Sequence, residues 1–145
     1  MKGFSLLELI VVVCVLAVLS LVLAVGAMPG KDALAEKEAR RLAALLELAA
    51  AEARTTGEAL TWTPERAGYS FWRRSDDGEW LRFPEASPYR QRLFDANVVI
   101  EGAALTLLPH GLQAPLEAAI TGGNTRFIVR SGALGHVSLQ RLHAD

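Results

Sequence analysis

Between Leu9 and Gly30 the chain carries no charged residue, and from Leu9 to Gly26 it is almost entirely Leu, Val, Ile and Ala. A helix rises about 1.5 Å per residue, so roughly 20 such residues cross a hydrocarbon core of about 30 Å. A helix that is apolar all round has no face for water. It must be covered on every side, by lipid or by helices like itself. The β-branched run Val11-Val12-Val13 forms helix poorly in water but is no obstacle in a bilayer, where every backbone group must bond internally.

The apolar excess is confined to this end. The 145 residues are 51% hydrophobic and 21% charged, with a mean hydropathy of +0.24. Of the first 30 positions 22 are hydrophobic, whereas the remaining 115 are 45% hydrophobic, close to an ordinary soluble domain. Fifteen Lys+Arg and sixteen Asp+Glu exclude a multispan membrane protein, because those charges need an aqueous setting. A disordered chain is excluded by the hydrophobicity together with a net charge of only −1. That charge also argues against bulk electrostatic capture of nucleic acid. Cys14, the only cysteine, lies in the apolar segment, so the polar part can build neither an internal disulfide nor a Cys-based zinc site.

Two familiar readings of the apolar segment are a cleaved secretory signal and a plain anchor. Lys2 would serve as a basic leader and Ala24-Val25-Gly26 as a small-residue cleavage site. The run is longer than the roughly 7–15 residues of a signal core. Moreover, Glu8 stands among Leu6, Leu7, Leu9 and Ile10. A carboxylate in a membrane helix costs on the order of 2.5–3.5 kcal/mol at its centre and less near an end, so it points to a function that export or anchoring does not need.

Lys2-Gly3-Phe4-Ser5-Leu6-Leu7-Glu8-Leu9, followed by the apolar run, resembles the class III leader and first residues of type IV pilins and type II secretion pseudopilins. The resemblance implies that a membrane prepilin peptidase cuts between Gly3 and Phe4 and N-methylates Phe4. Glycine before the cut gives a protease close access to the backbone. The resemblance also assigns Glu8 to filament assembly, its carboxylate pairing with the Phe4 ammonium of a neighbouring subunit. An unpaired charge in a dry helix bundle is heavily penalised, so such pairing selects register. One departure is Val25, where many pilins carry a mid-helix proline; here Met28-Pro29-Gly30 punctuates the chain instead, which predicts a kink or short break there.

Lys31 to Thr56 reads as an amphipathic helix: acids Asp32, Glu36 and Glu38 near its start, Arg54 near its end, Gly57 as the stop. Leu42, Leu45, Leu46, Ala49 and Ala53 form one apolar stripe, with Arg40, Arg41, Glu47 and Glu52 assigned to the opposite face. Strand signals follow at 59–63, 69–73, 80–83, 98–100, 105–108, 116–120, 126–130 and 136–142, with turns at 64–68 and 75–78 and a long loop at 84–95. A long helix followed only by strands predicts an α+β fold, the helix packed on an antiparallel β-sheet. Trp62, Phe71, Trp72 and Trp80 are expected to pack between sheet and helix, although adjacent Phe71 and Trp72 must face opposite sides of a regular strand.

Segments 41–49, 52–57, 68–71 and 78–80, with Leu107-Leu108-Pro109-His110-Gly111 and Gly132-Ala133-Leu134-Gly135-His136-Val137, resemble the H-type minor pseudopilin (GspH/FimT) family. The resemblance implies a pilin-like organisation: leader 1–3, transmembrane and assembly helix 4–30, and an amphipathic helix with periplasmic β-sheet domain 31–145. It implies a structural subunit of the pseudopilus that exports folded proteins, held first in the inner membrane by a single pass and surrounded by lipid. Its implied partners are the major pseudopilin, other minor pseudopilins, the prepilin peptidase and the assembly platform.

No enzyme constellation, cofactor motif or metal site is expected. His110, His136 and His143 are scattered without ligand spacing. Asp76-Asp77-Gly78-Glu79 lacks the alternating acids of a calcium loop and reads as a solvated turn. The competing signal is basic. Arg126, Arg130 and Arg141 on the last two strands, with Arg90 and Arg92 in the loop, could form a nucleic-acid stripe. It suits the alternative reading, a FimT-like minor type IV pilin in DNA uptake. The Gly-Arg-x-Arg type of segment in such proteins is replaced here by Gly135-His136-Val137-Ser138.

Overall fold

The computed structural model describes residues 6–26, 30–95, 97–111 and 114–143. The leader and Phe4, the proposed cleavage and methylation positions, lie outside them, as do Met28 and Pro29. Two helices, α1 (Leu6–Gly26) and α2 (Lys31–Thr56), precede nine strands: β1 (Leu60–Glu65), β2 (Gly68–Arg74), β3 (Trp80–Arg82), β4 (Arg92–Leu93), β5 (Val98–Gly102), β6 (Leu105–Leu107), β7 (Leu116–Gly122), β8 (Thr125–Ser131) and β9 (Val137–His143). The fold is α+β.

In α1 the described side chains, those of Leu6 and residues 8–20, are all exposed. The Ser20 hydroxyl donates to the Leu16 carbonyl at 2.7 Å, so it needs no solvent partner. Among the described residues no helix is long and apolar enough to cross a membrane.

Helix α2 starts and stops where its sequence predicts. Gly30 precedes it without a side-chain cap, and Gly57 at φ 76° ends it, its N–H donating to the Ala53 carbonyl at 3.0 Å. That left-handed conformation suits glycine because it has no Cβ to clash. The buried stripe is Ala35, Glu38, Ala39, Leu42, Leu45, Leu46, Ala49, Ala50 and Ala53. It lies chiefly on β7, β8 and β9. Small residues bring the layers close: a Cβ on Gly122 would come within 2.6 Å of the Lys31 carbonyl oxygen and 2.8 Å of Ala35 Cβ.

The strands form two antiparallel sheets rather than the one expected. The first has the order β3-β2-β1-β6, with β4 also paired to β2; the second runs β5-β7-β8-β9. The division arises because β6 returns to β1 (Trp62 opposite Leu105) while β5 turns away to β7 (Ile100 opposite Ile120). Strand signals report alternation, not partners, so this split has no local signature. Pro64, expected in a turn, ends up inside β1 opposite Tyr69. Strand β6 reaches only Leu60–Trp62, so β1 is an edge at Pro64 and a missing N–H is tolerated there. The loop 84–95 contains β4, whose Arg92 carbonyl lies so close over Gly68 that a Cβ at Gly68 could not fit.

The core gathers the α2 stripe with Leu60, Trp62, Tyr69, Phe71, Tyr89, Ile100, Leu105, Leu107, Ile120, Phe127 and Val129. Tyr69 is its aromatic hub, with ring centroids 5.9 Å from Phe71 and 5.8 Å from Phe94, both edge-on. Trp72 and Trp80 do not pack with Trp62 in the core as expected. Trp72 is only half-buried and Trp80 is 42% exposed. The pleat sends Trp72 to the face opposite Phe71, and β3 pairs so that Trp80 falls across from Arg74.

Candidate functional site

The arginines singled out by sequence sit on the second sheet. In β8, Phe127 and Val129 point to the core while Arg126 and Arg130 point outward, so these two share the outer face. Each guanidinium meets a carboxylate, Arg130 one from the adjacent β7 and Arg126 one from β5, a strand further across the sheet. Arg130 Nε donates to Glu117 Oε2 at 2.8 Å, and its Nη1 donates to Gln140 Oε1 at 2.8 Å. Arg126 Nη2 reaches Glu101 Oε2 at 3.5 Å. Such exposed pairs contribute about 0–1 kcal/mol to stability, but they cancel the positive field that a phosphate backbone would need. Arg141 stands opposite Phe127 in the register, on the other face, its Cζ 5.8 Å from the Phe127 ring centre. The three side chains do not converge on one surface.

Arg92 and Arg90, grouped with them from sequence, lie in a different region. Arg92 in β4 grips Glu38 of α2 in a bidentate pair through one guanidinium edge, Nε donating to Oε2 at 3.1 Å and Nη2 to Oε1. Glu38 is 6% exposed. The Glu38 hydrogen bond raises the already high Arg92 pKa, outweighing the opposing effect of burial. Beside the pair, burial pushes the Tyr69 hydroxyl up to about 12; the Glu38 charge adds to this and Arg41 and Arg92 oppose it. Burial, and then Glu52, likewise raises the Tyr89 hydroxyl. Neither hydroxyl has a hydrogen-bond partner of normal geometry. Arg41 and Glu52 are half-buried along the margin of α2, not on its outward face as expected, which lets their charges reach these tyrosines.

Sequence reasoning placed Glu38 among the acids near the start of α2 and missed its role. The signal was available: Glu38 stands four residues before Leu42 and three after Ala35, on the apolar stripe. A carboxylate there demands a cation. Nothing local named Arg92, which comes 54 residues later. From Arg92 the loop is held further: Gln91 Nε2 donates to Glu65 Oε2 at 2.8 Å, and the Ser70 hydroxyl donates to the same carboxylate.

Glu8 occupies the first turn of α1 and is exposed. His110, His136 and His143 are exposed and separate. Among the described residues no group of three or more His, Cys, Asp or Glu could hold a metal ion. Asp76 and Asp77 lie in a tight turn closed by Gly78 N–H to Ser75 carbonyl at 2.9 Å and Ser75 N–H to Glu79 carbonyl at 2.8 Å. The outer faces of the two sheets thus differ. One carries matched charges; the other carries Trp72, Trp80 and a row of threonines.

Residues 38–142 match the family model described as GspH, type II transport protein. The fold is similar to the minor pseudopilin EpsH from the Type 2 Secretion System of Vibrio cholerae, at 16% identity and a TM-score of 0.63, covering 75% of this chain and 96% of that one. A second EpsH crystal structure aligns over 79% of this chain and 96% of its own, with the same identity and TM-score. The type IV minor pilin FimU of Pseudomonas aeruginosa aligns at 18% identity and a TM-score of 0.52, over 72% of this chain and 91% of that one. At these identities the likeness is one of fold. No curated protein matches the chain at a significant level.

Proposed function

We infer the role of this chain from one premise: it belongs to the GspH family of type II transport proteins. It acts as a minor pseudopilin of the type II secretion system, a structural subunit of the pseudopilus that associates with other pseudopilins. The match of residues 38–142 carries this reading, because it spans most of α2 and both sheets.

Finer parts of the proposal rest on the leader and the apolar segment. The prepilin peptidase cuts after Gly3 and methylates Phe4. Residues 4–26 then wait in the inner membrane as a single pass, with 31–145 in the periplasm, and move from lipid into a bundle of neighbouring helices as the filament grows through its assembly platform. Glu8 pairs there with the amino terminus of a neighbour. The role is mechanical and not catalytic, and it needs no cofactor.

Deleting the gene is expected to abolish secretion of folded exoproteins; intact secretion would overturn the assignment. Intact-mass measurement is expected to give a chain starting at methylated Phe4, and a retained leader would remove the pilin-like processing. Glu8→Val is expected to insert normally and fail to enter filaments; normal incorporation would remove Glu8 from assembly.

The fold likeness to a type IV minor pilin fits a second reading, a minor pilin of a pilus system, only weakly, and DNA binding there would rest on the arginines. Carboxylates opposite Arg126 and Arg130, and the opposite face taken by Arg141, weigh against it. Salt-sensitive binding of duplex DNA, abolished by substituting Arg126 and Arg130, would reverse that preference.

A further inference from the structure

The outward face of the first sheet carries a groove to which the proposed role assigns no part. Across β6, β1, β2 and β3 the register aligns Thr106, Thr61, Trp72 and Arg82 in one row. Around this row Thr61, Thr63, Trp72, Trp80 and Thr106 line an open groove of about 430 Å³. That volume lies in the range of small-molecule sites, which combine apolar walls with a few placed polar groups. Trp80 is 42% exposed, an unusual cost for an indole with no role. The Arg82 guanidinium lies over the Trp72 ring at 4.6 Å and donates to Gln91 at 3.2 Å, which holds that indole at the groove wall.

We propose that this groove is a binding site for a neutral oligosaccharide. A pyranose ring has one face of C–H groups, which packs on an indole, and a rim of hydroxyls, which needs donors and acceptors beside that indole. The groove supplies both. Thr61 Oγ1 and Thr106 Oγ1 are 3.1 Å apart, a pair in which either donates. Each hydroxyl has one donor and two acceptor sites, so the pair keeps bonding capacity for a ligand. Thr63 adds a third hydroxyl. None of the five lining residues is charged. Two cations border them on the same face: Arg82 is stacked on Trp72 and bonded to Gln91, and Arg74 stands across from Trp80 in the register, so Trp80 is the indole left open for stacking. A nucleic-acid groove would need a longer run of cations along the path of the backbone, and a stable protein interface would need an apolar centre larger than two indoles. A neutral, hydroxyl-rich ligand matches the lining without leaving a charge unpaired.

The test uses the full chain in a detergent without a sugar headgroup, titrated with cellotriose and with tri-N-acetylchitotriose. The two arms separate a plain glucan from an amino-sugar strand. Tryptophan emission and calorimetry report binding; Trp62 is fully buried, so emission changes come from Trp72 and Trp80. Saturable binding of at least one trisaccharide is expected, weakened about tenfold by Trp80→Ala through loss of the stacked ring. Thr61→Val is expected to weaken it as well. Trp80 lies on an edge strand, so its variant should melt like the parent, and Thr61→Val provides a second reading if it does not. Silence with both saccharides at millimolar concentration would overturn the proposal. So would binding indifferent to both variants, salt-sensitive binding of oligothymidylate in place of sugar, or self-association that Trp80→Ala abolishes without any sugar binding.

Discussion

Both helices carry a glutamate where the neighbouring residues are apolar, Glu8 in α1 and Glu38 in α2, and the two side chains meet different surroundings. Glu38 is almost buried and gripped at both oxygens by Arg92. Glu8 is exposed in the first turn of a helix whose described side chains are all exposed. Helix α2 has two faces because one of them already has a sheet to lie on. Helix α1 is apolar all round, and among the described residues its side chains have no such cover. The same residue type therefore completes a fold in one helix and stays exposed in the other, which fits the proposal that α1 serves assembly and α2 folding.

The sharpest way to break this contrast is to shorten one leucine in each helix. Leu42→Ala, on the fully buried stripe, is expected to destabilise the domain by about 2–5 kcal/mol through lost burial and a residual cavity. Leu16→Ala, at a residue 56% exposed, is expected to leave the urea midpoint of the domain unchanged. Comparable losses in both would show that α1 is part of the domain core.

The ion pair comes next. Arg92→Ala strands the Glu38 carboxylate and is expected to cost about 2–3 kcal/mol; the cost falls short of the roughly 3–5 of a fully buried pair because Arg92 keeps 29% exposure. Replacing both partners, Glu38→Met with Arg92→Leu, is expected to recover most of that loss. Equilibrium unfolding of the two single variants and the double variant gives the coupling directly. A double variant no more stable than Arg92→Ala would mean that the loop, not the charge, sets the cost.

Alkaline pH tests the same corner of the core. The Tyr69 hydroxyl ionises near 10 when unfolded and at about 12 when folded, and Tyr89 is shifted in the same direction. A raised folded pKa gives a contribution that is complete below pH 10 and is lost as pH climbs towards 12. Stability is expected to be flat up to about pH 10 and then to fall by up to about 1.4 kcal/mol per pH unit for each tyrosine. Urea unfolding between pH 8 and pH 11.5 measures it, on the order of two slopes added. A curve flat throughout that range would place both hydroxyls in water.

The smallest expected effect is that of Tyr69→Phe at neutral pH. Its hydroxyl is buried without a good partner, so removal is expected to be neutral or stabilising by up to about 1 kcal/mol. A loss above that would reveal a bond between this hydroxyl and Arg41 that the geometry does not show.

Much of this molecule is legible locally. The limits of α2 follow from Lys31-Asp32 and Gly57, and eight strand segments follow from alternation, since helix ends and pleats depend on residues within a few positions of each other. The two-residue strand β4 is hidden in a loop because Arg92-Leu93 is too short to alternate. Trp72 and Trp80 read as core residues because hydrophobicity does not say which side of a sheet is covered. Arg126, Arg130 and Arg141 read as one stripe because parity along each strand does not give the register between strands.

By itself the sequence determined the apolar front end, the single carboxylate within it, the α+β class and the resemblance to the H-type family, since each depends on composition or short-range spacing. Only the tertiary structure decided that the strands divide into two sheets, that Glu38 needs Arg92, that the outward arginines are matched by Glu101 and Glu117, and that two indoles and three threonines share a groove. Those outcomes depend on pairing between residues tens of positions apart, where burial, register and charge compensation act together and no local pattern records the choice.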